Sequence, residues 1–214
     1  MSNINICAQD AYLALYPQSK KPVGVNWPDE GKSREQALAT NGNLGLLLGP
    51  KSDVMDVDLD CREAKGLAEL ILPKPFAQFD RGTSDSGHYL YKAITCGPTK
   101  KFSGNGPKST LVELRGDGSQ TMIPPSIHPD GSRLNFTDIN HDAPEVEYAD
   151  LLKSVSFLAA CSEVAQIWVS GRRHELALSF SGLCLKQDVN PQLLISIIQR
   201  ICQTTGDRDE QDRM

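Results

Sequence analysis

Twelve of the 13 prolines and 14 of the 17 glycines lie before residue 145, and this uneven punctuation sets the tightest limit on the fold. Proline removes a backbone donor and glycine loosens the chain, so long helices are excluded from most of that stretch. Short runs of β character fill the intervals: Asn43–Leu48, Val54–Leu59, Tyr89–Ala93, Thr110–Leu114 and Gln120–Ile123. Helical spacing is found at Ala8–Leu15, Ser33–Ala39 and Arg62–Ile71, the last stopped by Pro73. Several strands follow one another without a helix between them. That order predicts an α+β domain with a mainly antiparallel sheet rather than a βαβ series.

After Pro144 the texture changes. Tyr148–Trp168 carries Leu151, Leu152, Val155, Leu158 and Ala159 at helical spacing, and Arg172–Lys186 places Leu176, Phe180, Leu183 and Cys184 on one face. Asn190-Pro191 supplies an N-cap and a first-turn proline for a third helix, whose stripe runs Leu193, Leu194, Ile197, Ile198, Ile201, with Gly206 as its C-cap. The expected organisation is a domain over 1–145 and a small helical module over 146–214. The apolar runs are too short to span a membrane, and the N-terminus has neither a basic start nor an apolar signal core, so a cytoplasmic protein is expected. Six cysteines are scattered without a Cys-x-x-Cys pair, which argues against a zinc site and against a disulfide framework.

The net charge of −5 would not by itself point to a nucleic-acid binder. Its distribution is more telling. Lys51 to Asp60 holds one Lys against four Asp, while Lys92 to Arg115 holds five basic residues against Glu113 alone. An acidic knot beside a basic stretch suits metal ions next to phosphates, as it also suits two solvated loops of opposite charge.

Four segments carry chemistry. In Val54-Met55-Asp56-Val57-Asp58-Leu59-Asp60, a strand of period two sends Asp56, Asp58 and Asp60 to one face and Val57 and Leu59 to the other. Carboxylates that close repel one another unless a cation neutralises them, so a divalent metal is the natural guest. An EF-hand loop starting at Asp56 would need Gly and Glu where Cys61 and Leu67 stand, which removes that rival. In Thr83–Tyr91 a polar turn delivers His88 to the start of a strand, where it can donate to a phosphate oxygen with help from Ser86 and Arg81; a structural histidine fits the same pattern. In Leu111–Gly118 Glu113 is a candidate third carboxylate and Arg115, on its face, a candidate phosphate contact, before the Asp117-Gly118 turn. In Ile123–Gly131 two prolines stiffen a strand exit and present Ser126 and His128.

Together, Asp-x-Asp, Ser-x-His, an acid followed by Arg-Gly-Asp-Gly, and Pro-Pro-Ser-x-His resemble the bifunctional DNA primase/polymerase N-terminal domain family of plasmids, phages and integrated elements, within the archaeo-eukaryotic primase superfamily. The likeness spans about residues 8 to 150 and takes in Lys20-Lys21-Pro22, Trp27 and Asn43-Leu44-Gly45-Leu46. It implies an α+β catalytic domain with an antiparallel sheet like that of an RNA-recognition motif, followed by the helical module. It implies template-directed nucleotidyl transfer by a two-metal mechanism, with two Mg²⁺ or Mn²⁺ ions on Asp56, Asp58 and Glu113, and nucleotide contacts from Ser86 and His88; Arg115, Ser126 and His128 are further nucleotide-binding candidates from the residues themselves. The implied partners are single-stranded DNA template, primer and nucleoside triphosphates, with a helicase module in the same or a separate chain as a further candidate. Glu113 stands where the family commonly has Asp, and the cysteines for a zinc-binding stem are lacking. The segment from Gly171 to Leu178 resembles helical modules that precede a helicase, and Arg172 and Arg173 there are candidates for holding template or an initiating nucleotide. A metal-dependent phosphodiesterase and a non-catalytic nucleotide-binding replication module remain the alternatives.

Overall fold

The computed structural model describes residues 6–7, 10–82, 85–105 and 110–206. Nine strands and five helices are found among these residues, and every strand pair is antiparallel. A three-stranded sheet has the order β1(Tyr12–Leu15), β2(Asn43–Leu47), β8(Gln120–Ile123). A six-stranded sheet has the order β6(Lys100–Ser103), β7(Thr110–Arg115), β3(Val54–Leu59), β5(Gly87–Lys92), β4(Ala77–Asp80), β9(Asn135–Ile139). The expected α+β class with antiparallel sheets is what the protein adopts.

The two faces of the six-stranded sheet have separate cores. Met55, Val57, Leu59, Tyr89, Tyr91, Val112 and Leu114 pack on one side with α2(Arg62–Ile71), α3(Tyr148–Gln166), α4(Arg173–Lys186) and α5(Pro191–Thr205). Val54, Ala77, Phe79 and Leu90 join the other core, with Leu13, Leu15, Leu44, Leu46 and Ile123 of the small sheet. The helices after residue 146 therefore share one apolar cluster with β3 and β7. A short helix, α1(Arg34–Leu38), opens with a capping box in which Ser33 Oγ accepts from Gln36 N and Gln36 Oε1 accepts from Ser33 N.

The two sheets are joined where β2 passes to β3 and β7 to β8. Gly49, at φ +85°, lies so close to Asp117 that a Cβ would come within 2.9 Å of its Cα. Only glycine suits both that conformation and that approach. Helix ends follow the local rules: Leu72 is extended before Pro73, Asn190 Oδ1 accepts from Gln192 N and Leu193 N, and Gly206 is left-handed at φ +71°.

Three expectations change. Tyr12–Leu15 is a strand and not the end of a helix from Ala8; residues 8 and 9 lie outside the described residues. All four residues of Tyr-Leu-Ala-Leu are buried, and a short run with no polar face has no period to distinguish strand from helix. Strands β4, β6 and β9 were not visible as apolar runs because their residues are mostly polar. In α4, Ala177, Phe180 and Cys184 are buried but Leu183 is exposed, since the helix turns a narrower stripe to the core than its leucines predict. No helix among the described residues is long and apolar enough to cross a membrane.

Candidate active site

Directly paired residues on antiparallel strands share a face of the sheet. Lys101 pairs with Glu113, Glu113 with Asp58, Asp58 with His88, His88 with Phe79, and Phe79 with Phe136. One row of side chains thus crosses all six strands: a cation, two acids, an imidazole and two aromatic rings. Next along the strands, on the same face, Arg115 pairs with Asp56. On the other side of the row, Asp60 follows the end of β3, its N–H donating to the Leu111 carbonyl at 3.0 Å.

Oxygen atoms of Asp58, Asp60 and Glu113 converge to within 4.8 Å of one another. Three hard oxygen donors at that spacing fit a divalent cation such as Mg²⁺ or Mn²⁺. Asp56, expected as a metal ligand, is not part of this cluster. It is fully buried, and its two oxygens lie 3.2 and 3.0 Å from His88 Nδ1. His88 Nε2 lies 3.6 Å from Asp58 Oδ1, and the imidazole stacks on the Phe79 ring at 4.5 Å and 7°. Asp56 thus lies against His88, and Asp60 stands with Asp58 and Glu113 among the converging oxygens.

Arg115 threads the acids. Its Nε donates to Glu113 Oε2 at 2.9 Å, its Nη2 pairs with Asp58 Oδ2, and its Nη1 lies 4.0 Å from Asp56 Oδ2. Burial opposes the charge on Arg115, but Asp58, Asp56 and Glu113 outweigh it and raise its pKa. The same competition acts on the buried pair. Burial would raise Asp56, yet His88 and then Arg115 hold it below its ordinary value. Burial would lower His88, yet Asp56 and Asp58 hold it above.

Asp60 goes the other way. Desolvation, then the charges of Asp58 and Glu113, push its carboxyl up to about 6. A carboxyl whose folded pKa is raised binds its proton more tightly when folded, so its effect on stability improves as pH falls from about 6 towards 4. In chelator-treated protein, Asp60→Asn is therefore expected to raise the melting temperature at pH 7 more than at pH 4.5. Equal shifts at both values would show that Asp60 is not under this strain.

A pocket opens between these acids and the small sheet, lined by Asp58, Asp60, Asp80, Arg81, Ser86, His88, Arg115 and His128, with Lys20 at its rim. Arg81 ties two of the sequence segments together: Nη2 donates to Ser86 Oγ at 3.1 Å, and Nη1 donates to Asp130 Oδ2 at 2.6 Å and lies 3.4 Å from His128 Nδ1. Lys65 Nζ reaches Asp80 Oδ2 at 2.7 Å and the Ser86 carbonyl at 3.2 Å, bracing the turn before β5. Ser86, His88, Arg115 and His128 are thus brought together as expected. Ser126 is not. It is fully buried, accepting from Leu44 N at 2.9 Å and donating to backbone carbonyls, so it fastens the Pro124–Pro125 segment to β2. Arg172 and Arg173 lie at the start of α4, outside the pocket lining.

The sequence places Asp60 on the acidic face, but it does not single out Phe79 or Lys65. The pleat of β3 carried a signal for Asp60. Phe79 had none, because β4 was unrecognised.

Converging carboxylates beside a pocket lined by arginine, histidine and lysine form a site suited to divalent cations and phosphate groups. The chain belongs to the bifunctional DNA primase/polymerase N-terminal domain family, whose model matches residues 8–149, a span that holds every residue of the pocket. The family implies nucleotidyl transfer of the DNA primase/polymerase type. No curated protein gave a significant match to the chain.

Proposed function

We propose that this protein carries out template-directed nucleotidyl transfer, as a DNA primase, a DNA polymerase or both, in the replication of a plasmid, phage or integrated element. The observation that carries the reading is the convergence of Asp58, Asp60 and Glu113 within 4.8 Å beside a cation-lined pocket in a member of this family. These three residues would hold divalent ions, Mg²⁺ or Mn²⁺, which when bound supply activation of a 3′-hydroxyl and neutralisation of the triphosphate.

The remaining residues position and neutralise. Asp56 engages His88 Nδ1 and Phe79 fixes the ring plane, so Nε2 is the nitrogen left for a phosphate oxygen. Arg81 and Ser86, already hydrogen-bonded to each other, add donors on the same side. Such preorganised donors need no rearrangement when charge develops on the leaving group. The small sheet walls one side of the pocket through Gln120, Thr121 and Met122 of β8.

His88→Ala is expected to weaken nucleoside triphosphate binding by about 1–3 kcal/mol, the worth of a charge-assisted hydrogen bond, with primed DNA binding little changed. Isothermal titration with each ligand checks this; loss of DNA binding with unaltered nucleotide affinity would remove His88 from the nucleotide side. The reading as a whole is tested by product analysis on single-stranded template, with and without primer, using ribo- and deoxynucleotides separately. Extension or de novo products support it. Strand cleavage without nucleotide incorporation would make the protein a phosphodiesterase instead.

A further inference from the structure

The basic stretch between Lys92 and Arg115 is only partly accounted for by the pocket. Arg115 sits among the carboxylates, but Lys100 and Lys101 lie on β6, an edge strand, and both are exposed. Their registers differ in a way that matters. Lys101 is opposite Glu113, on the carboxylate face, whereas Lys100 is opposite Leu114, whose side chain belongs to the core under the helices. Glu113 takes Arg115 as its ion-pair partner, and among the described residues Lys101 makes no ion pair. A lysine is thus held in the same row as the acids without being neutralised by them.

The order of groups along the row gives the site a direction. In phosphoryl transfer the attacking and leaving oxygens lie roughly in line, on opposite sides of the reacting phosphorus. Arg81, Ser86 and His88, which can hold a leaving pyrophosphate, all come from the β4–β5 side of Asp58. Attack then comes from the Glu113 side, across β7 and β6. The strand that brings the attacking hydroxyl is a polyanion and must pass over this edge. Two strand spacings separate Lys101 from Asp58, about 10 Å. At a rise of about 3.4 Å per nucleotide, that distance matches the phosphates of roughly the last three nucleotides before the 3′ end.

We propose that Lys101 binds a backbone phosphate of the primer strand close to its 3′ end, making the exposed edge of the six-stranded sheet the primer-strand track. The assignment rests on the nucleotidyl-transfer reading above. It names which side of the acids takes the growing strand, and leaves the β4–β5 side to the incoming nucleotide.

The test compares Lys101→Ala with Lys100→Ala, a neighbouring lysine of equal charge on the other face, in the full chain. Affinity for fluorescently labelled primed DNA is measured between roughly 50 and 200 mM salt, and affinity for a nucleoside triphosphate is measured alongside. Lys101→Ala is expected to weaken primed DNA about fivefold and to reduce the salt slope by about one, with nucleotide affinity unchanged. Lys100→Ala is expected to change DNA affinity by less than about twofold. Equal losses in both variants, no loss in Lys101→Ala, or a loss of nucleotide affinity in its place would overturn the proposal while leaving the reaction class intact. Absence of any DNA binding by the unsubstituted chain, together with unchanged nucleotide affinity in His88→Ala, would overturn the nucleotidyl-transfer reading and this proposal together.

Discussion

Asp58→Asn, Asp60→Asn and Glu113→Gln are each expected to lower nucleotide incorporation on the order of a thousandfold, in line with losing a charge that stabilises a transition state. Each removes one of the three oxygens that converge within 4.8 Å. The amide keeps the shape of the carboxylate but gives up its charge, so divalent-ion affinity falls while packing is kept. Asp56→Asn should behave differently. Its carboxylate faces His88 and Arg115 inside the sheet, so the variant is expected to lose nucleotide affinity and folding stability rather than metal affinity. Mn²⁺ titration of all four variants, read beside circular dichroism and incorporation assays, separates the groups. Full activity in Asp60→Asn combined with lost Mn²⁺ binding in Asp56→Asn would reverse the assignment made from the geometry.

A chain ending at Asp150 is expected not to fold, although it contains the whole pocket. Val155, Leu158, Ala159, Cys161 and Ala165 of α3 are buried in the same cluster as Val57, Leu59 and Leu114, and α5 adds Leu194, Ile197, Ile198 and Ile201. Without them the underside of the sheet that carries Asp58 and Glu113 faces water. The milder version is Leu158→Ala, which is expected to lower stability by about 2–5 kcal/mol, against a total of about 5–15 kcal/mol for an ordinary domain. Urea unfolding of the variant and solubility with thermal unfolding of the shortened chain are the measurements. A cooperative transition in the shortened chain near that of the full protein would show that α3 to α5 are an appendage to an independent domain.

The helical tail reads as a separate module in the sequence for a compositional reason, although it shares a core with the sheet. Composition does change at Pro144, because helices tolerate few prolines and glycines while turns between strands require them. That change marks a switch of secondary structure. It says nothing about whether the helices bury their apolar stripes on one another or on a sheet.

Alternation in Val54–Asp60 was enough to determine a strand with acids on one face and an apolar anchor on the other, and Asn190-Pro191 with Gly206 was enough to bound α5, since both depend on local backbone geometry. The α+β class followed from consecutive strands with turns between them. Which acid meets which partner did not follow. Asp56, Asp58 and Asp60 are equivalent in a period of two, and only the neighbouring strands break the equivalence: His88 and Glu113 flank Asp58, Arg115 stands beside Asp56, and Asp60 lies past the end of the strand in the pocket lining. Register is a non-local property, set by how β3 pairs with strands about 30 and 55 residues away in the chain, and one pleat repeat along it separates a carboxylate that faces His88 and Arg115 from one that converges with Glu113 and Asp60.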